Sequence, residues 1–234
     1  MKQRVTIKDV ARAAGVSRQT VSRAINNKGE ISPATQNQVM EAVRALDYRP
    51  SRVARGLATR RTGTIGLVVP DITNPFFPEI ARGVQDVARG EDHSVFLCNT
   101  DESPEEEIQA LHSLAAQPVD GIILFGSRIN DEDLSVFADR YRPLVLLNRF
   151  LEHPGVSLIL VDNQRGSALA VDHLADQGHV AIGLLAGPAT SPSSAQRVDG
   201  FRQAMAARGL PVPDDWITFC PPTIEGGYDS ARTL

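Results

Sequence analysis

The sequence predicts two unlike parts: an all-α helix-turn-helix head and an α/β body of doubly wound parallel sheets. Three observations predict them. Up to about residue 47, apolar residues recur at helical spacing between turn and cap residues. From Thr64 onward, short β-branched runs alternate with longer amphipathic ones, the pattern of right-handed βαβ units. Charge changes sign at the same place. Residues 1–61 carry 13 Lys and Arg against four acids, a net of +9; the remainder carries 11 bases and 24 acids, a net of −13. A basic head on an acidic body points to a polyanion partner at one end, although a charge run alone is more often just a solvated face.

In the head, Thr6 can cap a first helix whose first turn holds Asp9, where the helix dipole favours an acid. Ile7, Val10, Ala11 and Ala14 form its apolar face. Gly15 permits a left-handed turn, and Ser17 caps a second helix with Val21, Ala24 and Ile25 inward. This spacing is what a tight helix-turn-helix needs. Arg18, Gln19 and Arg23 then face outward: Arg can pair bidentately with guanine and Gln with adenine in a major groove. Thr6, Ser17, Thr20, Ser22 and Asn26 are short polar groups suited to phosphate contacts. The competing reading is a solvated polar helix in a small bundle. Ser32 and Pro33 start a third helix running to about Leu46. Three such helices leave the head little core and marginal stability alone.

Tyr48-Arg49-Pro50 breaks the third helix. Ser51 can cap a short segment, RVARGLA, too short to hold as a helix in water without a partner. Leu57, flanked by Arg52 and Arg55, suits insertion into a minor groove; a flexible basic linker with Leu57 packed on the body fits equally well.

The body's strand candidates are residues 64–69, 94–98, 120–125, 143–147, 157–161 and 180–185, with helices near 76–90, 104–116, 131–140, 164–177 and 194–208. Near-continuous apolar strands imply that both sheet faces are covered.

The run from VTIKDVARAAGVSRQTVSRAIN through YRPSRVARGLATRRTGTIGLVVPDITNPFF resembles the start of the LacI/GalR family of bacterial repressors. The resemblance implies a homodimer on pseudo-palindromic, double-stranded operator DNA. It puts Arg18, Gln19 and Arg23 at base-reading positions and Leu57 at the intercalating hinge position. It also implies a periplasmic-binding-protein-like body, two α/β subdomains with a small-molecule effector between them. The expected division is a head at 1–47, a hinge at 48–62, one subdomain at 63–161 and part of a second at 162–234. The chain stops within GGYDSARTL, so that second subdomain is expected to be incomplete and ligand sensing to require more chain.

Ligands of such sheets sit beyond the carboxyl ends of the strands. After the first strand, Asn74 can bond a ligand hydroxyl and Phe76 or Phe77 can stack on a sugar face; an Asx-Pro turn with two core aromatics is the alternative. Asn148 and Arg149 end the fourth strand, where a surface ion pair is the competing role. Arg197, three residues before Gly200-Phe201, resembles the family's ligand-contacting arginine. Asp162-Asn163 resembles the first crossing between subdomains, or is a plain strand-to-helix turn. The pattern Asn74, Phe76, Arg149 and Arg197 resembles sugar-sensing members of the family more than nucleobase-sensing ones, which implies a carbohydrate, although the arginines could equally serve a phosphorylated or carboxylate ligand.

Other classes find little support. No GxxxxGK[ST], GxGxxG or G-x-S-x-G motif is present, so an α/β enzyme with a fused head is the weaker alternative. His93, His112, His153, His173 and His179 lack ligand spacing, as do Cys98 and Cys220, so neither metal nor cofactor is expected. The N-terminus MKQRVTIKDVARAAG has no apolar signal-peptide core, and no 18-residue apolar run occurs. A cytoplasmic protein without a membrane segment is expected, against the third reading of a solute-binding transport protein.

Overall fold

The computed structural model describes residues 5–26, 29, 31–48, 61–117, 119–141 and 143–233. It divides into two compact units, Met1–Thr62 and Gly63–Leu234.

The first unit contains α1 (Ile7–Ala13), α2 (Arg18–Ile25) and α3 (Pro33–Ala45). Thr6 N–H and Oγ1 both donate to the Asp9 carboxylate at the start of α1, at 2.9 and 2.7 Å. Gly15 takes φ +59° in the turn, the left-handed conformation that Cβ disfavours. Ser17 Oγ accepts from Thr20 N at 3.0 Å and Ser32 Oγ from Thr35 N at 3.2 Å, so both later helices are capped as their sequences imply. The core is small: Val10, Ala11, Ala14, Val21, Ala24 and Val39. Gln38 Nε2 adds a donor to the Ala14 carbonyl, 3.1 Å away, satisfying the end of α1.

The second unit begins with β1 (Thr64–Val69), α4 (Phe76–Gly90), β2 (Ser94–Asn99), α5 (Pro104–Ala116), β3 (Gly121–Phe125), α6 (Asp131–Arg140), β4 (Leu144–Leu147) and β5 (Val156–Ile159). The strands form one parallel sheet in the order β2-β1-β3-β4-β5. Alternation along β1 divides the core. Leu67 and Val69 pack with Phe77 and Phe125 on one face, while Val68 joins Leu111, Leu114, Leu124 and Leu134 on the other. The order reverses between β1 and β3, and ligand crevices form beyond the strand ends at such a reversal.

The chain continues through α7 (Asn163–Asp176), β6 (Leu184–Ala186), α8 (Pro192–Ala207), a 3-10 turn (Asp214–Trp216), β7 (Ile217–Phe219) and α9 (Ile224–Ala231). β6 and β7 pair in parallel as a second, two-stranded sheet. Phe201, Met205, Val171 and Ile182 form the core here. Gly200 sets the approach of α8 to α7: a Cβ there would lie 2.1 Å from Gln164 O.

The body departs from expectation in three places. The strand expected at 180–185 begins only at Leu184, and Val180 is 65% exposed. β7, three residues long, was not expected at all. Coverage of both faces fails at the sheet edges, where Phe96 and Leu97 on β2 and Ile159 on β5 are about half exposed. An edge strand has a neighbour on one side only, so its apolar residues need not be enclosed.

Candidate functional site

The head's candidate surface is α2. Val21 and Ala24 turn into the core, which fixes the opposite side outward. Arg18 and Gln19 are exposed in the first turn, without side-chain partners among the described residues, while Arg23 is half-buried. The short polar residues are bonded locally. Thr6 Oγ1 goes to Asp9, Ser17 and Thr20 hydroxyls lie 2.9 Å apart, and Asn26 Nδ2 donates to Ser22 O at 2.8 Å. These groups hold helix ends and retain spare acceptor or donor capacity toward a phosphate. Arg52, Arg55 and Leu57 lie outside the described residues.

The second site is a cleft of about 400 Å³. Its walls come from the carboxyl ends of β1 and β3 on one side and from the β6–α8 turn and the start of α8 on the other. Asn74 and Phe76 follow β1. Asn74 Oδ1 accepts from Phe76 N at 3.1 Å, and its Nδ2 lies 3.5 Å from the Pro222 carbonyl across the cleft. Phe76 is 53% exposed, whereas Phe77 is 7% exposed and belongs to the core as well as the cleft wall. Their rings meet edge to face, 5.3 Å between centroids, and both reach Phe125. The Asx turn and the cleft wall are therefore one structure.

Asn148 and Arg197 are joined through Asn163, which is 5% exposed. Asn163 Nδ2 donates to Asn148 Oδ1 at 2.9 Å, and Arg197 Nε donates to Asn163 Oδ1 at 3.0 Å. Arg149, by contrast, does not line the cleft. Its Nη2 pairs with Asp131 at 2.5 Å and with Ile129 O at 3.2 Å, and its buried Nε has no partner among the described residues. Adjacent residues at a strand end point in different directions, which sequence order does not disclose.

Arg128 occupies the position Arg149 was expected to fill. It follows β3, and its Nε donates to Glu102 at 2.8 Å. Behind it Glu107, 2% exposed, accepts from Ser127 Oγ and from Arg128 N. Burial pushes the Glu107 carboxyl above its ordinary range, against the lowering effect of those bonds. The strand-end rule applied to Gly126-Ser127-Arg128 would have found Arg128; nothing in the sequence marks Ser191 or Ser194, which also line the cleft.

Two family models match this architecture. That for bacterial regulatory proteins of the lacI family covers residues 6–51. That for periplasmic binding proteins and the sugar binding domain of the LacI family covers residues 62–234. The chain belongs to the LacI family. It is 35% identical to catabolite control protein A of Priestia megaterium over 98% of this chain and 70% of that protein. With the ribose operon repressor of Halalkalibacterium halodurans it shares 41% identity over 86% of this chain and 59% of the relative. Among solved structures it resembles the lac repressor dimer bound to operator and the anti-inducer ONPF, with a TM-score of 0.85, 29% identity, and coverage of 97% of this chain and 68% of that one. The chain thus spans about 60–70% of the length of these relatives. As a LacI-family member it is a transcriptional regulator rather than an enzyme. The pairing of a head model with a body model also separates it from a free solute-binding protein. Among the described residues no helix is long and apolar enough to cross a membrane.

Proposed function

We propose that this chain represses transcription as a homodimer on double-stranded operator DNA, with a small metabolite, a sugar or sugar derivative, bound in the body's cleft to modulate it. The observation that carries the reading is α2: a capped, core-anchored helix presenting Arg18 and Gln19 to solvent. The lac repressor named above is a dimer on operator with a ligand bound, and the cleft here lies beyond the strand ends at the β1–β3 reversal, where such sheets take ligands. Exposed Ile72, Phe96 and Leu97, at or beside edge strand β2, give the apolar surface a second copy would cover. The division into a head (1–47), a hinge (48–62) and subdomains at 63–161 and 162–234 belongs to this reading, with the hinge residues Arg52, Arg55 and Leu57 in the minor groove. Its partner being DNA, the protein works in the cytoplasm.

Fluorescence anisotropy with an operator selected from random duplexes tests the head. Affinity should fall steeply with salt, because phosphate contacts release counterions; a flat response would count against it. Gln19→Ala should relax selection at one base pair per half-site, worth about 1–3 kcal/mol. Recovery of the parental motif by the variant would remove Gln19 from the reading role.

A further inference from the structure

Taking the cleft as the effector site, we infer that its ligand carries an oxyanion, a phosphoryl group above all, seated at the start of α8. α8 is 16 residues long, and Ser191, Ser193, Ser194 and Arg197 at its start all line the cleft. Its first turn leaves an unmet donor. Ser194 N and Ala195 N are bonded to Ser191 O and Ser191 N to Pro188 O, Pro192 has no N–H, and Ser193 N–H has no partner among the described residues. The dipole of the helix adds positive potential at that point.

A second observation is independent of the helix end. Ser194 as a whole is 1% exposed and lines the cleft, and its hydroxyl has no hydrogen-bond partner among the described residues. Buried hydroxyls are ordinarily bonded. This one lies over Gly187, where a Cβ would come within 2.8 Å of it, so the missing side chain keeps the space beside it clear.

The cleft also lacks a counter-charge. Its charged side chains are Glu102, Arg128 and Arg197. Glu102 and Arg128 neutralise each other. Arg197 has no carboxylate partner among the described residues; Asn163 holds only its Nε, leaving both terminal amino groups of the fork free. The two cleft amide oxygens are already engaged: Asn148 Oδ1 takes the Asn163 amide and Asn74 Oδ1 takes Phe76 N. A neutral polyol needs acceptors for its hydroxyl hydrogens. An oxyanion needs only donors, and charge-assisted bonds to a guanidinium are the strong ones. The exposed ring of Phe76 supplies a face for the rest of the ligand, which fits a phosphorylated sugar.

The test is a titration of the isotope-labelled chain with inorganic phosphate at constant ionic strength, followed by amide resonances. Saturable shifts are expected at Ser193, Ser194 and Arg197. They should weaken about tenfold or more in Arg197→Gln and several-fold in Ser194→Ala. Sugar phosphates should move the same amides at lower concentration than the parent sugars, and sugar acids tested alongside separate a carboxylate from a phosphoryl preference. Shifts confined to residues 1–62 would assign phosphate to the basic head, and shifts unchanged in Arg197→Gln would show that the guanidinium takes no part; either overturns the inference. Neutral sugars acting at lower concentration than their phosphates would overturn it while leaving the effector cleft standing. Silence from every probe would overturn the inference.

Discussion

The head and the cleft arrange their polar groups in opposite ways. On α2 the structural bonds are made by short side chains, Ser17, Thr20 and Asn26, while the long ones, Arg18 and Gln19, stand in solvent without partners among the described residues. In the cleft the long side chains are held: Asn163 fixes Arg197, and Glu102 fixes Arg128. Side chains free in solution must be ordered on binding, each at about 0.5–1.5 kcal/mol, whereas held ones largely escape that cost. A head of this kind suits searching along DNA before it settles on a sequence. A cleft of this kind suits discrimination between small molecules.

The two regions also differ in how much core stands behind the site, and that contrast gives the largest expected effect. Phe201→Ala should cost the body about 3–5 kcal/mol, since Phe201 is 2% exposed at the centre of the α7–α8 core. Val39→Ala should cost the head about 2 kcal/mol. Among the described residues six buried side chains make up that core, so the smaller loss should leave the head largely unfolded while the body survives the greater one. Chemical denaturation can follow the body through its single tryptophan, Trp216, and the head through amide exchange. A head that tolerates Val39→Ala as well as the body tolerates Phe201→Ala would break the contrast. A middle-sized effect comes from Ser17→Ala, which removes the α2 cap and should cost about 1 kcal/mol. Operator affinity should fall along with amide protection in α2, because the cap holds the turn that presents Arg18 and Gln19.

What the sequence discloses follows the same divide. The head is legible almost to the residue, because its helices are bounded by local chemistry: Thr6 with Asp9, Ser17 with Thr20, Ser32 with Pro33. The parallel sheet is legible as a pattern, but its short strands are not. Ile217–Phe219 is three residues long, too short for alternation to show, and Val180–Gly183 is apolar without lying in a strand. Side-chain direction is the other hidden quantity. Asn148 and Arg149 are neighbours in sequence, yet Asn148, at φ +53°, lines the cleft while Arg149 turns to Asp131. The buried hydroxyl of Ser194 draws its meaning from Gly187, seven residues away, and from the fold between them.

The smallest effect is one of sign. The Thr6 hydroxyl and backbone N–H hold the Asp9 carboxyl below its usual range, so its contribution to the head is present above about pH 4 and is lost as pH falls through its folded value. Glu107 is the reverse case: burial raises it, so its contribution to the body is present below about pH 4.3 and is lost as pH rises through its folded value. Acidification should therefore act on the two regions in successive windows: the body gains from Glu107 down to about pH 4.3, and the head loses Asp9's support only below about pH 4. Glu107→Gln cannot titrate and should flatten the body's pH dependence in tryptophan-monitored unfolding without touching the head's. An unchanged slope in that variant would mean that some other group sets the body's response, and that the opposed signs of Asp9 and Glu107 do not govern how the two regions part in acid.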